Sequence, residues 1–85
     1  MPMNDKRAGK KLASLRKQRG LTLRAVRDIS EQIAALMRNR AFIVQASSLS
    51  QIEMRGGVPS IYKLYSLSIA YGCAMRRILS FYGLK

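Results

Sequence analysis

Residues 44–71, VQASSLSQIEMRGGVPSIYKLYSLSIAY, hold two helix signals of opposite character on either side of a glycine pair. On the first side, a helix from near Gln45 to Met54 or Arg55 is mostly polar, and Leu49 and Ile52 face inward at a spacing of three. Gly56 and Gly57 end it, because glycine enters the left-handed backbone of a helix terminus without a Cβ penalty. On the second side, Pro59 and Ser60 occupy the first positions of a new helix, where a missing N–H is no loss and a hydroxyl can cap. Ile61, Leu64, Leu67, Ser68 and Tyr71 then recur at helical period as its buried face, and Gly72 stops it.

The same reading extends in both directions. Residues 1–5, MPMND, carry no pattern and are expected to fray, with Asn4 or Asp5 available as a cap. A first helix is expected over about residues 6–19, with Ala8, Leu12 and Leu15 inward and Lys10, Lys11, Lys17 and Arg19 outside, and Gly20 ends it. Thr22 caps a second helix that runs to about Met37 on the stripe Leu23, Val26, Ile29, Ser30, Ile33, Leu36 and Met37. Residues 38–43 break the period, with Asn39 suited to a turn and Phe42 and Ile43 as apolar anchors. A fifth helix, roughly residues 74–82, places Met75, Ile78, Leu79 and Tyr82 on one side. No strand-like alternation or internal repeat occurs, so the expected class is all-α, five helices in a single domain over residues 1–85.

Charge narrows the partner. Sixteen Lys and Arg against four Asp and Glu give a net charge of +12 on 85 residues, which points to a polyanion. Eleven of the sixteen lie in the first forty positions (Lys6, Arg7, Lys10, Lys11, Arg16, Lys17, Arg19, Arg24, Arg27, Arg38, Arg40), so the excess is concentrated. No uncharged run is longer than residues 64–75, well short of the roughly 20 residues a bilayer needs. No apolar stretch comes after the basic N-terminus, so no secretory signal is read and a cytoplasmic, nucleoid location is expected. Cys73 is the only cysteine and histidine is absent, which excludes an internal disulfide, the usual zinc shells and a Cys–His nucleophile; Cys73 reads as a small apolar side chain. The four acids do not cluster, no glycine-rich phosphate loop precedes a Lys-Ser or Lys-Thr pair, and Ser47-Ser48 has no histidine partner. Neither an enzyme, a cofactor nor a metal site is expected.

Taken in order, Leu12, Leu15, Arg16 and Arg19, the turn Gly20-Leu21-Thr22, LSQIE at 49–53, and Pro59-Ser60-Ile61 with Leu64 and Leu67 resemble the Cro/CI-type, or XRE-type, helix-turn-helix family over about residues 9–83. The resemblance implies a lambda-repressor-like domain whose third helix, about residues 45–54, enters the DNA major groove. It implies a structural salt bridge between Arg16 and Glu53, base-reading positions at Gln45, Ala46, Ser47, Ser50 and Gln51, and phosphate contacts from Thr22, Arg24, Arg55, Ser60, Tyr62 and Lys63. Gln51 has the chemistry to pair bidentately with adenine, and Ala46 to pack on a thymine methyl. The chain departs from the family pattern in two places. About a dozen extra residues lie between Ile29 and Val44, where the family has a tight turn, and Arg27 stands where the family commonly has a small residue.

The implied function is sequence-specific regulation of transcription, as a homodimer on palindromic double-stranded DNA. Met75, Ile78, Leu79, Phe81, Tyr82 and Leu84 are either a patch for the second copy or the completion of a small core. Two other functions use the same features: an antitoxin-type autoregulator that also binds a toxin partner, and a non-specific nucleoid or RNA-binding basic protein.

Overall fold

Each helix terminus leaves unpaired backbone groups, and three of the helices begin where a side chain takes them up. In the computed structural model, which describes residues 5–84, Asp5 caps α1 (Lys6–Gln18) by accepting from the N–H of Arg7 at 2.9 Å and of Ala8 at 3.4 Å. Thr22 caps α2 (Leu23–Met37) through the Ala25 N–H, and Ser60 caps α4 (Ile61–Tyr71) through the Lys63 N–H. α3 (Ala46–Arg55) and α5 (Met75–Phe81) begin after Gln45 and Ala74 without a side-chain cap. The described residues form an all-α, five-helix fold with no strand. The fraying expected of residues 1–4 lies outside the described residues. Asp5 does not fray: beyond its capping role, its N–H donates to the Gly56 carbonyl at 2.9 Å.

All five helices meet in one core. Leu12 and Leu15 of α1, Val26 of α2, Leu49 of α3, Leu64, Leu67 and Tyr71 of α4 and Ile78 of α5 are buried around Val44. Burying each large apolar side chain contributes about 1.5–3 kcal/mol, so this cluster is the main source of cohesion. The C-terminal residues divide unequally between the two uses open to them. Ile78 is fully buried, Met75, Leu79, Phe81 and Tyr82 pack half-buried against the core, and Leu84 alone remains exposed.

A smaller cluster joins Ile33 and Ala34 of α2 to Phe42, with Ile29 and Ile43 beside it. It organises the connection between α2 and α3, residues 38–45, which is no tight turn. Arg38 reverses the chain in left-handed backbone (φ 52°), and Asn39 caps a short 3-10 turn, Arg40–Phe42, by accepting from the Ala41 N–H. Two buried serines clamp the backbone from Phe42 to Val44. The Val44 N–H donates to Ser30 Oγ at 2.8 Å, and Ser66 Oγ donates to the Phe42 carbonyl at 2.6 Å. Val44, fully buried, is an anchor alongside Phe42, whereas Ile43 is half-buried.

Three stripe positions are not covered. Leu36 is 84% exposed, Met37 51% and Ile61 59%. Leu36 and Met37 sit in the last turn of α2 and Ile61 in the first turn of α4, so helical phase alone turns them inward while no neighbouring element covers those ends.

The helices approach most closely where α1 crosses α3. A Cβ on Gly9 would come within 2.7 Å of the Ile52 carbonyl oxygen, and nearer still to that of Glu53. Glycine at this α1 position is therefore a packing requirement. At Gly56 (φ 77°) two demands coincide, a left-handed terminus for α3 and a backbone approach to Asp5 that leaves no room for a Cβ.

A buried tyrosine, Tyr71, and a half-buried one, Tyr82, make stability pH-dependent. Tyr82 Oη donates to the Gly57 carbonyl at 3.1 Å, and burial pushes its pKa up to about 12. Burial pushes the Tyr71 hydroxyl up as well; that group is buried with no hydrogen-bond partner among the described residues. Both pKa values are raised by folding, so the stability they contribute is complete below the unfolded value of about 10 and is lost as pH rises towards 12. The thermal midpoint should fall above about pH 10, and fall less when both residues are phenylalanine. At neutral pH Tyr71→Phe alone should be neutral or stabilising, since it removes an unpaired hydroxyl whose desolvation costs about 1–3 kcal/mol. An alkaline profile identical in wild type and the double variant would exclude the tyrosines as its cause.

Candidate nucleic-acid interface

α3 is amphipathic in an unusual sense, with an apolar inner side and an outer one that carries no charge before Arg55 in its last turn. Leu49 is fully buried and Ile52 half-buried against the body. Ser47, Gln51 and Met54, at spacings of four and three, share the opposite face and are all exposed. Ser50 lies at the edge of this face, its Oγ 3.9 Å from Met54 Sδ. Gln45 is exposed just before the helix. Of the expected base-reading positions, Gln45, Ser47 and Gln51 are exposed, while Ala46, three residues before Leu49, and Ser50 are half-buried. In place of Ala46, the outward face takes in Met54, 71% exposed. Its spacing from Ser47 and Gln51 is the sequence signal that could have placed it there.

What aims this face is the junction of α1 and α3. Arg16 Nε and one terminal nitrogen bind the two oxygens of Glu53 at 2.8 and 3.0 Å, and its other terminal nitrogen donates to the Leu21 carbonyl at 2.8 Å. The side chains are only 11% and 8% exposed. The hydrogen bond to Glu53 outweighs burial and raises the Arg16 pKa, so the guanidinium stays charged inside the fold. This is the pair that the resemblance implies. Gly9 lies at the same crossing, so the close approach and the ion pair fix one geometry. Arg19 adds a tie from the end of α1, its Nε donating to the Tyr71 carbonyl at 2.7 Å.

Beside the outward face, Ser48, Gln51, Arg55, Gly57, Ser60 and Lys63 line an open groove of about 330 Å³ between α3 and the start of α4. It brings one expected base-reading residue, Gln51, together with three expected phosphate ligands, Arg55, Ser60 and Lys63. Thr22 and Arg24 stand apart, at the start of α2. Arg24 is exposed, while the Thr22 hydroxyl is engaged in capping. Tyr62 does not belong to this groove. Its ring meets Phe42 edge-on, centroids 5.2 Å apart, and lines a separate apolar groove.

The carboxylates are placed so that none opposes these cations. Asp5 caps α1 beside Arg7, Asp28 and Glu31 lie 2.8 and 3.8 Å from Arg27, and Glu53 is buried with Arg16. Arg27 thus faces outward among the acids of α2, and its pKa is raised chiefly by the hydrogen bond to Asp28. Among the described residues, Arg24, Arg55 and Lys63 have no acidic partner.

No helix of the described residues is long and apolar enough to cross a membrane. Comparison of the chain with family models, with curated proteins and with solved structures finds no match.

Proposed function

We propose that this chain reads double-stranded DNA, with α3 in the major groove, and regulates transcription from the site it occupies. The observation that carries this reading is the division of labour on one surface: an outer face on α3 that is uncharged up to Arg55 in its last turn, and a basic groove along its flank. Base edges are distinguished by amide and hydroxyl side chains, while charged and helix-terminal groups hold phosphates without regard to sequence. Gln51 and Ser47 are the base-reading pair, and Met54 supplies an apolar contact for a thymine methyl. Arg24, Arg55, Ser60 and Lys63 hold the backbone. A helix-turn-helix with a lengthened connection, located on the nucleoid, follows from this reading.

Selection of bound duplexes from a random library is the test. A regulator of this kind should prefer its selected site by roughly 10³ or more over random duplex. Palindromic selected sequences would indicate two copies per site. Gln51→Ala should relax preference at one base pair, costing about 1–3 kcal/mol, whereas Arg55→Ala should weaken all duplexes alike. With three cations on phosphates, log affinity should fall against log salt with a slope of roughly −3 for each copy bound. Binding of all duplexes within a few-fold would exclude site-specific reading, and a flat salt dependence would exclude the groove as a phosphate site.

A further inference from the structure

Most of the large apolar side chains left in solvent, Met37, Ile61, Tyr62, Tyr65 and Ile69, lie on or beside α4, apart from Met54 on α3. Along α4, Tyr62, Tyr65 and Ile69 recur at spacings of three and four, with Ile61 beside them, and all are exposed. Met37, Ile61, Tyr62, Tyr65 and Met75 line a groove of about 280 Å³ floored by Phe42. Its α4 wall is Ile61, Tyr62 and Tyr65, near the start of the helix, and Met37 and Met75 come from the end of α2 and the start of α5. With Ile69 one turn further on, the apolar strip from Ile61 spans about 12 Å of helix rise, roughly two turns of a helix laid along it. The floor is rigid: Phe42 is buried, its ring meets Tyr62 and Tyr65 edge-on, and its carbonyl is held by Ser66.

We propose that this groove docks an acidic amphipathic helical segment of another protein. Charge selects the occupant. Arg38 is next to Met37, Arg40 begins the turn that carries Phe42, and Arg76 is next to Met75; all three are exposed. The chain's four carboxylates are committed elsewhere, beside Arg7, Arg27 and Arg16. A second copy would therefore bring one arginine rim against another with no acid to separate them, whereas a helix with leucines on one side and glutamates on the other complements both floor and rim. Single-stranded nucleic acid also favours aromatic rings beside arginines, but stacking needs open ring faces and polar groups for base edges. Here Met37, Ile61 and Met75 occupy the rest of the wall and offer no polar group to a base edge.

The probe is a synthetic peptide of leucine and glutamate patterned as an amphipathic helix, titrated into the isotope-labelled chain. Resonances of Met37, Ile61, Tyr62, Tyr65 and Ile69 should shift, and Ile61→Asp and Ile69→Asp, both at exposed positions and checked for helicity, should each weaken binding about tenfold or more. Absence of binding would overturn the proposal. So would equal binding of a shuffled peptide of the same composition, or of a leucine and lysine version. Self-association of the free chain that Ile69→Asp abolishes would assign the groove to a second copy, and matching shifts with oligouridylate would assign it to single-stranded RNA; either would overturn it. The titration contains no DNA, so its outcome is independent of the reading of α3.

Discussion

Glu53→Ala is expected to lower stability by about 3–5 kcal/mol, because it leaves the Arg16 guanidinium charged, buried and facing an empty position. In a domain of this size that corresponds to a fall in the thermal midpoint of more than about 12 °C. Total stabilities lie near 5–15 kcal/mol, so the loss is about a fifth or more of the whole. The two hydrogen bonds to Arg16 are the obvious loss; the larger part is the desolvation of a cation that nothing then compensates. Pairing the change with its partner separates these effects. Arg16→Met with Glu53→Leu removes both charges at similar volume and should recover most of the stability, while leaving α3 without the directional tie that sets its angle to α1. Chemical denaturation of the wild type, the two single variants and the double variant measures this. A Glu53→Ala midpoint within about 2 °C of wild type would mean that the pair is screened by solvent and does not anchor the helix.

Gly9→Ala should destabilise by about 1–3 kcal/mol even though alanine is the better helix former by about 1 kcal/mol. The added methyl meets main-chain carbonyls of α3 rather than the end of a side chain, so relief requires the two helices to separate. Separation lengthens the Arg16–Glu53 hydrogen bonds, and the loss at Gly9 should therefore be non-additive with loss at Glu53. A thermal melt and a double-mutant cycle check both statements. Stabilisation of the protein by Gly9→Ala would show that the crossing is loose.

These two residues also mark what the chain discloses about itself. Caps and stops are legible, because Thr22, Ser60, Gly20, Gly56 and Gly72 act on backbone within a few residues of themselves. The core stripe of each helix is legible for the same reason: period 3.6 is local. Coverage is not local. Leu36, Met37 and Ile61 keep the phase of the stripe but extend past the elements that would bury them, while Met75, Leu79, Phe81 and Tyr82 find partners that periodicity does not reveal. Gly9 reads in sequence as an ordinary interruption of a basic helix, since its reason lies on α3, more than forty residues away. For the candidate interface, the exposure of Ser47 and Gln51 on one face of α3 is legible from their spacing. The half-burial of Ala46 and Ser50 is not legible in that way, and Tyr62 packs on Phe42, a residue of the inserted connection that the analogy lacks.

That connection has a consequence for how the molecule breathes. The Val44 amide hydrogen, buried behind Ser30 Oγ, should exchange with solvent only when the whole domain opens, and so should report the global unfolding free energy. Arg40 and its neighbours on the outer rim of the same segment should exchange orders of magnitude faster. A stretch without regular helix would then mark the last part of the domain to come apart, and α3 would keep its aim through every local fluctuation short of that.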